Sequence, residues 1–238
     1  MLCLDLCSGS GSVSRALQEL CPGCTVISLD VDPRNAPDVG RVAGEEVAGR
    51  THVTSDIRMW VPDLQPGEVD FMWCSPPCEQ YSIARQSPRN LELADSIAAR
   101  CFELVDILKP KRWVIENPGT GLMHKRPFAL QHERWRSRTT YCSWGTPYKK
   151  LTSLWTNIDC ELPVCNFAHR CAAFTGTGHP ATAQKGPSRL VNAPASVGMV
   201  TTKALWAVPQ ELLRALVDCD RIKQVTRMDG RGESRGSI

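Results

Sequence analysis

The chain has 238 residues, 42% hydrophobic and 22% charged, with a formal net charge of +3. That is enough apolar material for one full core, and no apolar run approaches the roughly 20 residues of a membrane-spanning helix. Met1–Leu6 is too short for a secretory signal and runs straight into a glycine turn, so the twelve cysteines point to reduced thiols, with a metal site among their uses, rather than to a disulfide framework. An intracellular protein, cytoplasmic or nuclear and not secreted, is expected. Charge is unevenly spread: residues 1–108 carry 8 basic and 16 acidic side chains, residues 109–150 carry 10 and 2, and residues 151–238 carry 10 and 7. The basic block also holds Trp113, Trp135 and Trp144; it reads either as a polyanion-facing surface or as a solvated face without a partner.

In chain order, residues 1–6 read as a buried strand followed by the turn Asp5-Leu6-Cys7-Ser8-Gly9-Ser10-Gly11-Ser12. Gly9 and Gly11 allow a tight bend and close approach of backbone to ligand, and a helix from Val13 to Leu20 starts directly after. Thr25–Leu29 is a second strand ending in Asp30-Val31-Asp32. Asp30 stands where an acid meets a ribose diol in a βαβ nucleotide fold, although a solvated strand end is the plainer alternative. Ser14 occupies the place of the third glycine of G-x-G-x-x-G, which argues against a pyrophosphate ligand. His52–Ile57 reads as a third strand carrying Asp56. Val69–Trp73 reads as a fourth, and its exit, Cys74-Ser75-Pro76-Pro77-Cys78, is held rigid by two prolines. Cys78 is then either a positioned nucleophile or a small buried hydrophobe. Leu91–Leu108 is helical, with Ile97, Cys101, Leu104 and Leu108 on one stripe and Lys109-Pro110 as its stop. Arg112–Pro118 is a fifth strand that delivers Glu116 to the same sheet edge. The fold class is therefore α/β, a mostly parallel, doubly wound sheet with a site along one edge.

On these residues the chain resembles the cytosine carbon-5 methyltransferases. Asp5–Gly11 is similar to their methyl-donor turn D-L-x-x-G-x-G, Asp30 to their acidic ribose contact, and Asp56 to their adenine contact. Pro77-Cys78, closed by Ser82, resembles their Pro-Cys nucleophile motif, and Glu116-Asn117 their Glu-Asn pair. The motifs are unpermuted and cover roughly the first half of the chain. Amino-group methyltransferases instead carry an aromatic after S-P-P or D-P-P; a cysteine here favours carbon methylation.

The resemblance implies a Rossmann-like class I methyltransferase fold. It implies S-adenosylmethionine held by Asp5, Cys7, Ser8, Gly9, Gly11, Asp30, Val31, Asp56, Ile57 and Pro76. Catalysis would rest on Cys78, Glu116 and Lys150, with a flipped-out or single-stranded cytosine as substrate. DNA is the implied partner, the RNA-methylating branch of the fold is the alternative, and a catalytically silent binding protein is a third reading. Oligomeric state and target sequence stay open.

The second half departs from the family pattern. Tyr141–Asn157 reads as two strands around a turn and only loosely resembles the family's Q-x-R-x-R region, with Lys150 and Thr152 at its two arginines. This run, and Glu-Asn-Pro in place of Glu-Asn-Val, is similar to small phage and algal members, and Glu79 replaces the usual Gln. Cys160, Cys165, Cys171 and His179, with His169 as substitute, form a set suited to zinc; unligated thiols in a small core are the alternative. Cys21-Pro22-Gly23-Cys24 reads as structural. The expected organisation is a catalytic domain over 1–157 and a small loop-rich recognition and metal-binding insert over 158–188. A return to the catalytic domain follows over 189–220, including a helix from Pro209 through Val217 with Trp206 in place of an expected Asn. A disordered basic tail is expected over 221–238.

Overall fold

The computed structural model describes residues 1–35, 49–166, 168–176, 178, 179, 181, 182 and 206–218. Strands β1 (Leu2–Leu6), β2 (Thr25–Asp30), β3 (Arg50–Thr54), β4 (Phe71–Cys74), β5 (Arg112–Pro118), β6 (Arg136–Thr140) and β8 (Leu151–Thr156) form one sheet in the order β3-β2-β1-β4-β5-β8-β6. The first five of these in space pair parallel, and β8 pairs antiparallel with both β5 and β6. A short β7 (Tyr148–Lys149) pairs parallel with β9 (Ala181–Thr182) in a separate sheet.

Successive side chains of β1 go to opposite faces, as the period of a strand requires. Cys3 packs with Val13 and Leu17 of helix α1 (Ser12–Leu20) and with Leu212, Leu213 and Leu216 of a helix over 210–218. Leu4 and Leu6 pack with Ala98, Cys101 and Leu104 of helix α2 (Leu91–Leu108). The sheet is thus covered on both faces, which is the doubly wound arrangement expected from near-continuous apolar strands. Helix α2 has the expected bounds: Asn90 caps it by accepting from the Leu93 N–H, and Lys109 ends it in the left-handed region at φ 44°, ahead of Pro110. Its buried stripe contains Ala94, Ala98 and Phe102 as well as Cys101, Leu104 and Leu108, while Ile97 is only partly buried.

Three expectations need correction. The third strand ends at Thr54, so Asp56 lies in the following turn, where its carbonyl accepts from Met59 and Trp60. Tyr141–Trp144 is a 3₁₀ turn closed by Gly145 at φ 88° rather than a strand, and β7 pairs with β9, not with β8. The strand that does pair with β8 is β6, whose polar sequence Arg136-Ser137-Arg138-Thr139-Thr140 shows no apolar alternation. Residues 189–205 and the tail over 221–238 lie outside the described residues. Among those described, no helix is long and apolar enough to cross a membrane.

Candidate active site

Chain order reverses at the centre of the sheet. From β1 the chain moves outward to β2 and β3, then returns to β4 on the other side of β1. The loops after β1 and β4 therefore diverge and leave a crevice at the carboxyl edge, where open α/β sheets bind ligands. The register puts the strand ends level: Leu6 lies opposite both Leu29 and Cys74, and Cys74 lies opposite Ile115. Asp30, the turn after Leu6, the exit to Cys78, and Glu116 consequently share one line.

On one side of the crevice, the turn after β1 is held by its own backbone. Ser8 N–H donates to Leu29, and Gly11 N–H to Ser8. Cys7, Gly9 and Gly11 have φ of 55°, 49° and 67°. The left-handed value at a non-glycine residue is a local strain of the kind that collects at ligand-binding turns. A Cβ built on Gly9 meets nothing within 4 Å, so the turn faces open space. Asp30 is buried and braces the turn: one carboxylate oxygen accepts from Gly9 N–H at 2.8 Å, the other from Asp32 N–H at 2.9 Å and Asn35 Nδ2 at 3.1 Å. A carboxylate accepts about four hydrogen bonds, so room for a ligand hydroxyl remains. Val31 beside it is 66% exposed, an apolar contact at the mouth.

Ser14, the departure from the glycine pattern, has a structural job. Its N–H and hydroxyl both donate to Asp5 Oδ2, tying the start of α1 to β1. Burial pushes the Asp5 carboxyl up to about 7, against the lowering effect of these hydrogen bonds. Asp5 and Ile57 are buried. The Asp56 carboxylate is gripped by the Arg58 side chain and backbone N–H, and that hydrogen bonding holds it below the usual carboxylate range. The Ser8 hydroxyl is buried without a partner among the described residues.

Across the crevice, Asn117 Nδ2 donates to the Pro76 carbonyl at 3.0 Å, clamping the double-proline exit against β5. Beyond it, Tyr81 N–H donates to the Cys78 carbonyl, and the fully buried Tyr81 ring sends its hydroxyl to Asp95 of α2, which Arg126 also grips. Cys78 is therefore fixed from both sides. Burial pushes its thiol up to about 11; the charges of Glu79 and Glu116 add to this and Lys150 opposes it. Cys78, Glu116 and Lys150 thus act on one another electrostatically.

Glu116 is buried, and its Oε1 accepts from the Tyr141 hydroxyl at 3.0 Å and Lys150 Nζ at 3.2 Å, with the Lys150 ammonium 4.5 Å from the Tyr141 ring centroid. Topology explains the meeting. β6 runs toward the same edge as β5 and exits at Thr140, while antiparallel β8 enters there at Leu151, and Thr140 lies opposite Leu151. The residues immediately after and before, Tyr141 and Lys150, are delivered to Glu116. No local pattern in the sequence marks Tyr141 as a partner of Glu116. Thr152, the position of the second family arginine, is buried and its hydroxyl donates to the Lys150 carbonyl.

Four ligand atoms gather beside this cluster, on Cys142, Cys165, Cys171 and His179, all within 4.8 Å of one another. Cys142 takes the place expected for Cys160. The Cys160 thiol instead faces the carbonyls of Glu161 and Ala215 and packs on the α1-side core. His169 is not in the group; its N–H donates to Asn166. Cys21 and Cys24 are buried, and the Cys24 thiol donates to the Leu17 carbonyl, in keeping with a structural role.

The basic block is less free than its sequence implies. Lys111, Arg126, Arg136 and Lys150 pair with Asp70, Asp95, Glu133 and Glu116, and Arg112 donates to the Val217 carbonyl. Trp113 is buried with Trp135 edge-on at 6.0 Å, and the Trp144 indole donates to Thr139.

Residues 1–132 match the family described as C-5 cytosine-specific DNA methylase. A protein of Frog virus 3 (isolate Goorha) named a probable DNA (cytosine-5)-methyltransferase is 29% identical over 178 residues, covering 68% of this chain and 73% of its own length. A crystal structure from E. coli, described as a DNA modification methyltransferase encoded within a prophage, superposes with a TM-score of 0.50 at 16% identity and 68% coverage of this chain. The chain spans about half (49%) of that structure's length, and the likeness is one of fold.

Proposed function

Because this chain belongs to the family of C-5 cytosine-specific DNA methylases, we propose that it transfers a methyl group from S-adenosylmethionine to carbon 5 of cytosine in DNA, through a transient bond between Cys78 and the base. The observation that carries the reading is the crevice itself. A braced glycine turn and Asp30 stand on one wall, and a rigidly mounted thiol stands on the other with a buried carboxyl acting on it. S-adenosylmethionine fits the first wall: Gly9 borders open space, Asp30 retains acceptor capacity, and Val31 offers an apolar face. When bound it supplies an electrophilic methyl group on a sulfonium.

The chain's residues supply the rest. Carbon 5 of cytosine is a poor nucleophile until a group adds at carbon 6, and Cys78 is positioned to add there. The raised thiol implies that Cys78 rests protonated, so its proton passes to solvent as the carbon–sulfur bond forms. Glu116 faces ring nitrogen 3 and the exocyclic amine, where a proton shared with the base takes up the charge that addition pushes onto the ring and is given back when Cys78 leaves. Tyr141 and Lys150 both occupy Oε1, which leaves Oε2 to face the base. Carbon 5 then takes the methyl group, loses its proton to solvent, and expels Cys78. The base must be flipped out of a duplex for its faces to be reached.

Covalent capture tests this. A duplex oligonucleotide carrying 5-fluorocytosine cannot lose a proton from carbon 5, so wild type should be trapped with S-adenosylmethionine present and Cys78→Ala should not. A matched RNA run alongside decides the nucleic acid: capture on RNA alone would transfer the reading to RNA. No capture on either would leave a silent binding protein.

A further inference from the structure

The four-residue group beside Tyr141 takes no part in the chemistry above. Its Cys165 and Cys171 sulfurs lie 3.4 and 3.2 Å from His179 Nε2, and all four ligand atoms fall within 4.8 Å. A tetrahedral zinc with ordinary bond lengths needs edges of about 3.6 Å between sulfur and nitrogen and about 3.8 Å between sulfurs. Soft thiolates with one imidazole are the donor set zinc takes in closed structural sites. Support around the ligands is in place: Cys171 N–H points at the Cys165 sulfur, Cys165 N–H donates to Thr140 Oγ1, and Thr139 Oγ1 donates to the Pro163 carbonyl. The Phe174 ring stands edge-on to His179 at 5.6 Å. A cleft of about 550 Å³ opens on Cys142 and Cys171 and offers a path of entry.

We propose that Cys142, Cys165, Cys171 and His179 bind one structural Zn²⁺, and that this ion braces the 141–150 segment that presents Tyr141 and Lys150 to Glu116. Cys142 adjoins Tyr141 in the turn after β6, and His179 leads into β9, which pairs with β7, whose last residue adjoins Lys150. The ion therefore closes the excursion between the two Glu116 partners from both ends. Binding releases the three thiol protons to solvent and involves no oxidation. The ligand assignment does not depend on the proposed methyl transfer.

Metal analysis of the full chain, purified under reducing conditions without chelator, should give one zinc per chain. Cys142→Ser should lose it and Cys160→Ser should keep it. Cobalt exchanged into the wild-type protein should give the intense visible bands of tetrahedral thiolate ligation, a readout that stands even if Cys142→Ser does not fold. Chelation should raise amide hydrogen exchange over residues 141–150 more than in α2. Protein that holds no zinc and takes up neither zinc nor cobalt would overturn the assignment, as would zinc lost on Cys160→Ser and kept on Cys142→Ser. Unchanged exchange over 141–150 after zinc removal would overturn the bracing role. Zinc without covalent capture, or capture without zinc, separates this inference from the proposed reaction.

Discussion

The Glu116 cluster gives the sharpest prediction. Tyr141→Phe removes one hydroxyl that donates to Glu116 Oε1 at 3.0 Å inside the core, where Tyr141 is 0% and Glu116 6% exposed. The ring is retained, so no cavity opens; what is lost is a hydrogen bond to a carboxyl group. Such bonds contribute about 1.5–3 kcal/mol, equivalent to about a ten- to 150-fold change in rate if the loss falls wholly on the transition state. Lys150 remains on the same oxygen at 3.2 Å, so the lower end is expected. Two measurements divide the effect: single-turnover methyl transfer to a cytosine-containing duplex, and the urea midpoint of the free protein. The expected result is a fall of about tenfold in the methyl-transfer rate with KM nearly unchanged. Because both donors share one oxygen, Tyr141→Phe and Lys150→Met combined should not be additive. A folded Tyr141→Phe protein with the wild-type single-turnover rate would refute the idea that this carboxyl is held in working position by its two partners.

Three further outcomes follow from the same geometry. With its thiol held up to about 11 by burial and neighbouring carboxylates, free Cys78 is thiolate in only about one molecule in a thousand at pH 8. Its alkylation by iodoacetamide, followed by peptide mass spectrometry, should keep climbing past pH 8 with a midpoint near 11, and the curve should shift lower in Glu79→Gln; a midpoint at 9 or below contradicts the burial argument. The Asp5 carboxyl, raised from 3.8 to about 7, stabilises the fold fully only below its unfolded value and loses that contribution as pH rises toward 7. Asp5→Asn removes the titration, so its unfolding free energy relative to wild type should rise between pH 4 and 7, by about 3 kcal/mol; a constant difference across that range would disprove the shift. Asp30→Ala frees the Gly9 amide and removes the acid at the mouth, and calorimetry should show S-adenosylmethionine binding weakened at least tenfold, whereas unaltered affinity would remove Asp30 from the ligand site.

How much of this was readable in advance depends on how local the signal is. Helix α2 announces its own ends, because Asn90 can cap it and Pro110 cannot continue it. The expected bounds of β5 match for a similar reason, since an apolar run between Pro110 and Pro118 leaves little choice. Residues 50–57 contain no such stop, and the expected strand begins two residues and ends three residues beyond β3. β6 carries no strand signal of its own because its residues are polar. It is held by pairing with β8, and its two innermost threonines are buried, with Thr139 sending its hydroxyl to the Pro163 carbonyl.

From the linear sequence alone one could obtain the parallel core, the glycine turn with Asp30, and the delivery of Cys78 and Glu116 to one sheet edge. Each depends on a strand, a turn and a sheet rule acting over a few residues. Only the folded chain decided that Tyr141 joins Lys150 on Glu116, and that Cys142 rather than Cys160 completes the thiol–imidazole group. Both depend on where two antiparallel strands begin and end beside β5. That register is set by packing between segments far apart in the chain, which residue spacing does not encode.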